Sequence, residues 1–195
     1  MQPIIFHPSS YVQPIEFAKL FPVRREIEVE LGAGDGSFFA QWAALNPERN
    51  FLAVERLLGR LRKIERKLRR AGLLNARALR LEAGYFAEYL LPSASVSAFH
   101  IYFPDPWPKR KHRRHRLINE RFAEVLRTAL IPEGTLYLRT DDLDYFTQMR
   151  EVLGANKHFE SVPTPETLAA VHTDFEREFN AHGIQTNRAA YRRVS

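Results

Sequence analysis

Short apolar runs alternate with stretches of helical period along most of this 195-residue chain. Glu26–Leu31 alternates polar and apolar positions and ends in glycines, which predicts a strand. Ser37–Leu45 reads as a helix stopped by Asn46-Pro47, and Phe51–Val54 as a short buried strand. Leu57, Leu61, Ile64 and Leu68 recur at helical spacing until Gly72 ends the segment. Ala76–Leu81 follows as a strand, Tyr85–Leu91 as a short helix, and Ser97–Phe103 as an apolar, aromatic strand. Arg116–Leu130 reads as a helix ended by Pro132 and Gly134, Thr135–Thr140 as a strand, and Asp142–Leu153 as a helix ended by Gly154. Before all of this stand Pro3, Pro8, Pro14 and Pro22, so residues 1–25 are expected to form an extended arm with little regular structure. Residues 26–195 are expected to form one domain.

Strands alternating with helices favour an α/β fold, a mostly parallel sheet with helices on both faces. In such sheets ligands bind outside the carboxyl ends of the strands. The residues expected to line that crevice are Gly32–Gly36, Glu55, Glu82, Pro104–Lys109 and Asp141. Acids dominate this set, although the chain as a whole carries a formal charge of +6.

The excess charge is concentrated. Residues 56–70 hold eight Lys/Arg and one Glu, and residues 109–116 hold six Lys/Arg and no acid. These segments carry +13 together, which leaves −7 for the remainder. The chain contains no cysteine, which excludes disulfides, cysteine–zinc modules and thiol nucleophiles. No apolar run approaches the roughly 18–20 residues of a membrane span. The N-terminus does not read as a signal peptide, so a cytoplasmic protein is expected. His112 and His115 are three apart with no further ligand in view, so no metal site is expected.

Glu30-Leu31-Gly32-Ala33-Gly34-Asp35-Gly36 closes the first predicted strand and opens a helix. Its G-x-G-x-G spacing differs from the dinucleotide G-x-G-x-x-G, and no G-K-[ST] is present. Glycines alone also suit a tight turn with no ligand. Glu55, at the end of the next strand, is placed to accept ribose hydroxyls, or else to pair with Arg56 or Arg60. Glu82, at the end of the third, is placed to accept from an adenine amino group or to serve no ligand at all. Pyrophosphate suits an acid-lined crevice poorly. A cationic, phosphate-free cofactor such as S-adenosylmethionine suits it better, with Glu30 and Asp105 facing its sulfonium and ammonium charges.

Phe103-Pro104-Asp105-Pro106-Trp107-Pro108-Lys109 follows the fourth strand. Three prolines in five residues hold Asp105 rigidly at the crevice. Trp107 either stacks on a base or packs on the body. The basic run that begins at Lys109 suits a phosphate backbone, with a solvated face as the alternative. The helix from Leu57 has the same two readings.

This proline segment, its basic run and the helix after it resemble the signature of TrmB-type tRNA (guanine-N7)-methyltransferases. Glu30 with the glycine loop, Glu55, Thr140-Asp141 and Thr173-Asp174-Phe175-Glu176 (similar to a T-x-x-E motif) match further family positions. The resemblance runs from about Glu28 to Phe179. It implies a Rossmann-like class I methyltransferase fold, with a mostly parallel seven-stranded sheet and a last antiparallel strand near residues 189–194. It implies S-adenosylmethionine held by Glu30, the loop of Gly32, Gly34 and Gly36, Glu55, Glu82 and Asp105. It also implies tRNA or guanine contacts from Lys109, Asp141, Thr173 and Glu176, with guanine 46 of the variable loop as target. The family usually has Asp or Asn where Glu82 stands, and residues 154–172 form a shorter stretch than in many members.

Guanine N7 has a free lone pair and needs no general base, so positioning and electrostatics are the expected means of catalysis. Asp105 is the expected catalytic residue, orienting the cofactor and stabilising the developing guanine cation. Asp141 or Glu176 is expected to read the guanine N1–H and amino hydrogens, in a monomer or homodimer with no obligate protein partner. Three other readings compete: methylation of an exocyclic amine, which typically uses [DNS]-P-P-[FYW]; a non-catalytic RNA-binding protein; and a nicotinamide dehydrogenase, which the glycine spacing disfavours.

Overall fold

A computed structural model describes residues 3–194, so the first two residues of the expected arm and the last of the expected domain lie outside it. The strands are β1 (Ile5–Phe6), β2 (Ile27–Leu31), β3 (Asn50–Val54), β4 (Ala76–Leu79), β5 (Val96–Tyr102), β6 (Leu130–Thr140), β7 (Phe159–Val162) and β8 (Asn187–Arg193). The helices are α1 (Phe17–Leu20), α2 (Ser37–Leu45), α3 (Leu58–Arg70), α4 (Ala83–Tyr85), α5 (Glu120–Ala129), α6 (Leu143–Gly154), α7 (Glu166–Ala169) and α8 (Asp174–Ala181). α4 runs into a π-helical turn at Phe86–Leu90, and Arg110–His115 forms a 3₁₀ helix.

One sheet takes all eight strands in the order β1-β4-β3-β2-β5-β6-β8-β7. β1 to β6 pair in parallel, and β8 runs antiparallel to both β6 and β7. The α/β expectation holds, but the strand count is eight rather than seven. The extra strand is β1, from the arm: Ile5 and Phe6 lie between Pro3 and Pro8, too short a run to show a period, yet the Ile4 carbonyl accepts the Ala78 N–H at 2.9 Å. Ile15, Leu20 and Phe21 of the same arm are buried in the core. β7 and α8 also lie beyond the elements read from the chain, and α5 starts at Glu120 rather than Arg116. Asn119 sets that start, its side chain accepting the Phe122 N–H at 3.0 Å.

Core clusters fill both faces. Leu52 and Val54 of β3 join one, and Phe51 and Ala53 the other, so strand alternation distributes one apolar run between two cores. Gly36 closes the glycine loop at φ 76°, and a Cβ there would lie 2.7 Å from Ile64 Cγ1. Both the left-handed turn and the close approach of α2 to α3 require glycine.

β2 is central, and strand order reverses on its two sides. Its polar positions are covered. Glu28 is 1% exposed and Glu30 3%. Glu28 accepts hydrogen bonds from Trp42 Nε1 and His100 Nε2, each at 2.8 Å, and from Arg49. Burial pushes its carboxyl up, but His100, Arg49 and Trp42 together outweigh that and bring it to about 2. A folded value below the unfolded one means stability gained above about 4.5 and lost as pH falls towards about 2. The contribution at neutral pH is on the order of 3 kcal/mol. Acid denaturation followed by circular dichroism is therefore expected to show a shallower loss of stability across this window in Glu28→Gln than in wild type. Parallel profiles would contradict the assignment.

Candidate active site

The glycine loop uses its own amides. Gly32 and Ala33 donate to the Val54 carbonyl at 2.9 and 3.1 Å, Gly36 donates to the Ala33 carbonyl at 2.9 Å, and Gly34 donates to Glu55 Oε2 at 2.9 Å. With those donors engaged, the loop is not built as a phosphate cradle. Lys67 of α3 clamps it further, donating to the Asp35 carbonyl at 3.0 Å, to Ser37 Oγ at 2.7 Å and to the Asp35 carboxylate. Burial raises the Asp35 carboxyl, but Lys67 and Ser37 outweigh this and hold it below its ordinary value.

Glu30 differs from its neighbours. Its Oε2 is buried with no hydrogen-bond partner among the described residues. Burial pushes the carboxyl well above its ordinary value; Arg139 opposes the shift, while Asp35 and Glu55 add to it. The side chain lines a hollow of about 180 Å³ with Gly34, Lys63, Tyr102, Thr173 and Phe175. A larger hollow of about 440 Å³ adjoins it, sharing Gly32, Arg60, Tyr102 and Phe103. Glu55, Glu82, Asp105 and Trp107 line this second space, whose volume falls within the roughly 300–1,000 Å³ of small-molecule sites.

Glu55 is 5% exposed, with its second oxygen accepting the Leu57 N–H at 2.7 Å. Glu82 caps α4, its two oxygens accepting from Gly84 N–H at 2.9 Å and Tyr85 N–H at 2.7 Å. Asp105 is exposed on the rim. Its loop is strained, with Phe103 at φ 50° and Trp107 at φ 45°, conformations that cost about 1–2 kcal/mol each for bulky residues. Two contacts hold it there. The Phe103 N–H donates to the Arg139 carbonyl at 2.8 Å, and Arg116 Nε donates to the Pro106 carbonyl at 2.7 Å.

The basic segment after that loop divides. Arg116 is 2% exposed, bonded to Asp144 and Gln148 and stacked 4.8 Å over Tyr145. It therefore braces the loop and cannot reach an RNA. Arg113 pairs with Asp144 at 2.9 Å, while Lys109, Arg110, Lys111 and Arg114 are exposed. Trp107 packs against His115 and His112, with ring centroids at 5.2 and 5.9 Å.

Asp141 is exposed at the end of β6, outside the lining of both hollows. Thr173 and Glu176 form the capping box of α8: Thr173 Oγ1 accepts the Glu176 N–H at 3.0 Å, and Glu176 Oε2 accepts the Thr173 N–H at 3.3 Å. Glu176 is 0% exposed and paired with Arg139 at 2.7 Å and with Arg188. The expected contact from Glu176 to guanine does not fit this arrangement, because both its oxygens are engaged beneath the surface.

Two features escaped the reading of the sequence. Arg139, 1% exposed, also donates to the Leu168 carbonyl at 2.6 Å and the Val171 carbonyl at 2.7 Å, and lies 4.3 Å over the Tyr102 ring. An arginine inside an apolar strand was its only signal. Phe103, Phe175 and Phe179 form an aromatic cluster at the mouth, with Arg60 5.8 Å over the Phe175 ring.

Comparisons with known proteins agree with this geometry. A family model described as "Putative methyltransferase" matches residues 24–191. The chain is 35% identical to a tRNA (guanine-N(7)-)-methyltransferase of Syntrophotalea carbinolica, an alignment covering 98% of this chain and 84% of that one. It is 32% identical to the protein of that name from Geobacter metallireducens, over 99% of this chain and 94% of that one. Among solved structures, the 16S rRNA methyltransferase KamB superposes with a TM-score of 0.66 at 16% identity, covering 92% of this chain and 93% of that one, a likeness of fold. With the glycine loop, the acid-lined hollows and full-length relatives in agreement, the chain belongs to the TrmB-type tRNA (guanine-N7)-methyltransferase family.

Proposed function

We propose that this protein methylates N7 of guanine 46 in the variable loop of tRNA, with S-adenosylmethionine as donor. The observation that carries the reading is the buried, unpartnered oxygen of Glu30 beside a glycine loop whose amides are already engaged. Such an oxygen calls for a cation or a donor, and the cofactor's ammonium is both. Glu55 keeps a free lone pair on each oxygen for the ribose hydroxyls. Glu82 keeps the same capacity for an adenine amino group while capping α4. When bound, the cofactor supplies a sulfonium methyl group to the N7 lone pair.

The chain's own residues then have two tasks. N7 carries no proton, so none of them acts as a base towards it. Asp105, fixed by its strained loop, orients the cofactor and places negative charge where the purine becomes cationic. Asp141 offers acceptor oxygens to the guanine N1–H and amino group, and Thr173 orients the base from the smaller hollow. Lys109 and its exposed neighbours hold phosphates.

Incubation with unmodified tRNA and labelled cofactor, followed by nucleoside analysis, is expected to yield 7-methylguanosine from wild-type tRNA and none when guanine 46 is replaced by adenine. A different methylated nucleoside would overturn the reading. Asp105→Ala is expected to lower kcat at least a hundredfold with little change in thermal midpoint, since the side chain is exposed; near-normal turnover would remove it from the chemistry. Glu30→Gln tests the cofactor site without catalysis. The folded protein holds the Glu30 proton more tightly than the unfolded chain, so stability declines as pH climbs above about 4.5. The variant lacks that decline. Scanning calorimetry of the cofactor-free protein at neutral pH is expected to place it a few degrees higher than wild type, with cofactor affinity weakened about ten- to thirtyfold. A lower midpoint with unchanged affinity would contradict both parts.

A further inference from the structure

α3 carries more charge than the site uses. Leu61, Ile64 and Leu68 bury its inner face. Arg60, Lys63 and Lys67 recur three and four apart along one flank; the first two line the smaller hollow, and the third clamps the glycine loop. Arg62, Arg66 and Arg70 recur four apart on the side opposite the buried face, and all three are exposed. Among the described residues none of these three has a hydrogen-bond or ion-pair partner.

This pattern is unfavourable to the helix itself. Like charges four apart repel, and cations in the first turns oppose the helix dipole. The one acid of the helix, Glu65, is paired with Arg69. A solvated face that serves stability alone interleaves the two signs. A polyanion would turn the repulsion into attraction.

Position supplies the second part of the argument. Arg56 and Arg60, where α3 begins, line the larger hollow, and Trp107 and His115 line it from the other basic segment. In that other segment Arg113 and Arg116 are tied to Asp144 while Lys109, Arg110, Lys111 and Arg114 are exposed, so each basic segment presents free charge and α3 adds a second set. Its 13 residues extend roughly 20 Å, which leads the charge away from the mouth and along the body.

We propose that Arg62, Arg66 and Arg70 form a second phosphate-binding ridge, which grips the body of a folded RNA while its target base sits at the mouth. The proposal rests on the tRNA reading above and adds that recognition extends beyond the target loop. The test is the variant R62Q/R66Q/R70Q, with binding of unmodified tRNA followed by fluorescence anisotropy across a salt series. Its log–log salt slope is expected to be smaller by about two to three, with affinity at least tenfold weaker near 0.1 M salt. The kcat at saturating tRNA, the cofactor affinity and the thermal midpoint are expected to hold. A short oligonucleotide carrying only the variable loop is expected to lose less than twofold. An unchanged slope, or an equal loss on the short oligonucleotide, would overturn the ridge. If wild type binds tRNA in this way but yields no 7-methylguanosine, the functional reading fails and the ridge stands. If wild type methylates and the variant is indistinguishable, only the ridge fails.

Discussion

Glu28 and Glu30 lie two residues apart on the same face of the central strand, equally buried, and differ only in their partners. Three donors surround the first, and burial is more than repaid by them, so the ionised form is favoured. The second has a bare oxygen and a carboxyl pushed upward by burial and by two neighbouring acids. One strand therefore holds a charge that stabilises the fold beside a carboxyl whose ionised form the fold disfavours. The difference arises from α2 and the loop before β3, which reach Glu28 with Trp42 and Arg49, while among the described residues no donor meets Glu30 Oε2.

Arg139 makes that arrangement tolerable and organises what surrounds it. Its charge opposes the rise at Glu30, its carbonyl fixes Phe103, and its guanidinium ties Leu168, Val171 and Glu176 to the sheet. Removing one partner of such a buried pair leaves the other without compensation, a loss typically of about 3–5 kcal/mol. The Thr173–Glu176 segment thereby becomes part of the frame. It brings Thr173 and Phe175 to the hollow because Glu176 is anchored beneath them.

Much of this was legible from the chain, and the exceptions share a cause. α2 was read from Ser37 to Leu45 as it stands, and β3, α3 and α6 to within a residue or so at each end, because periodicity and stop signals act locally. The glycine loop, Glu55, Glu82 and Asp105 were placed at strand ends, and the structure brings them to two adjoining hollows. What escaped depends on distant partners. β1 exists only because β4 offers an edge, and its two residues have no period to read. The alternation of β2 predicted a strand but did not show what covers its polar face; Trp42 of α2 does so at Glu28. Arg116 looked like one more cation in a basic run until Asp144, Gln148 and the Pro106 carbonyl converged on it. Glu176 looked available until Arg139 and Arg188 engaged it.

The two signs of charge are largely separated, and that separation bears on how the chemistry proceeds. Acids outnumber cations in the lining of both hollows, where Arg56, Arg60 and Lys63 stand beside them, while the remaining exposed cations of α3 and those after Trp107 lie outside. Exposed charges are screened over about 8 Å at physiological salt, whereas charges in a partly enclosed hollow are screened much less. In the proposed function the basic exterior acts on approach, drawing in a polyanion over distances where salt matters. In the same proposal the acids act at contact, on the small positive charge that moves from donor to purine. A hollow lined mainly with cations would attract the same RNA and oppose the transfer. Keeping most of the attraction outside and the balance of charge inside negative lets one protein bind an anionic substrate and favour a cationic product.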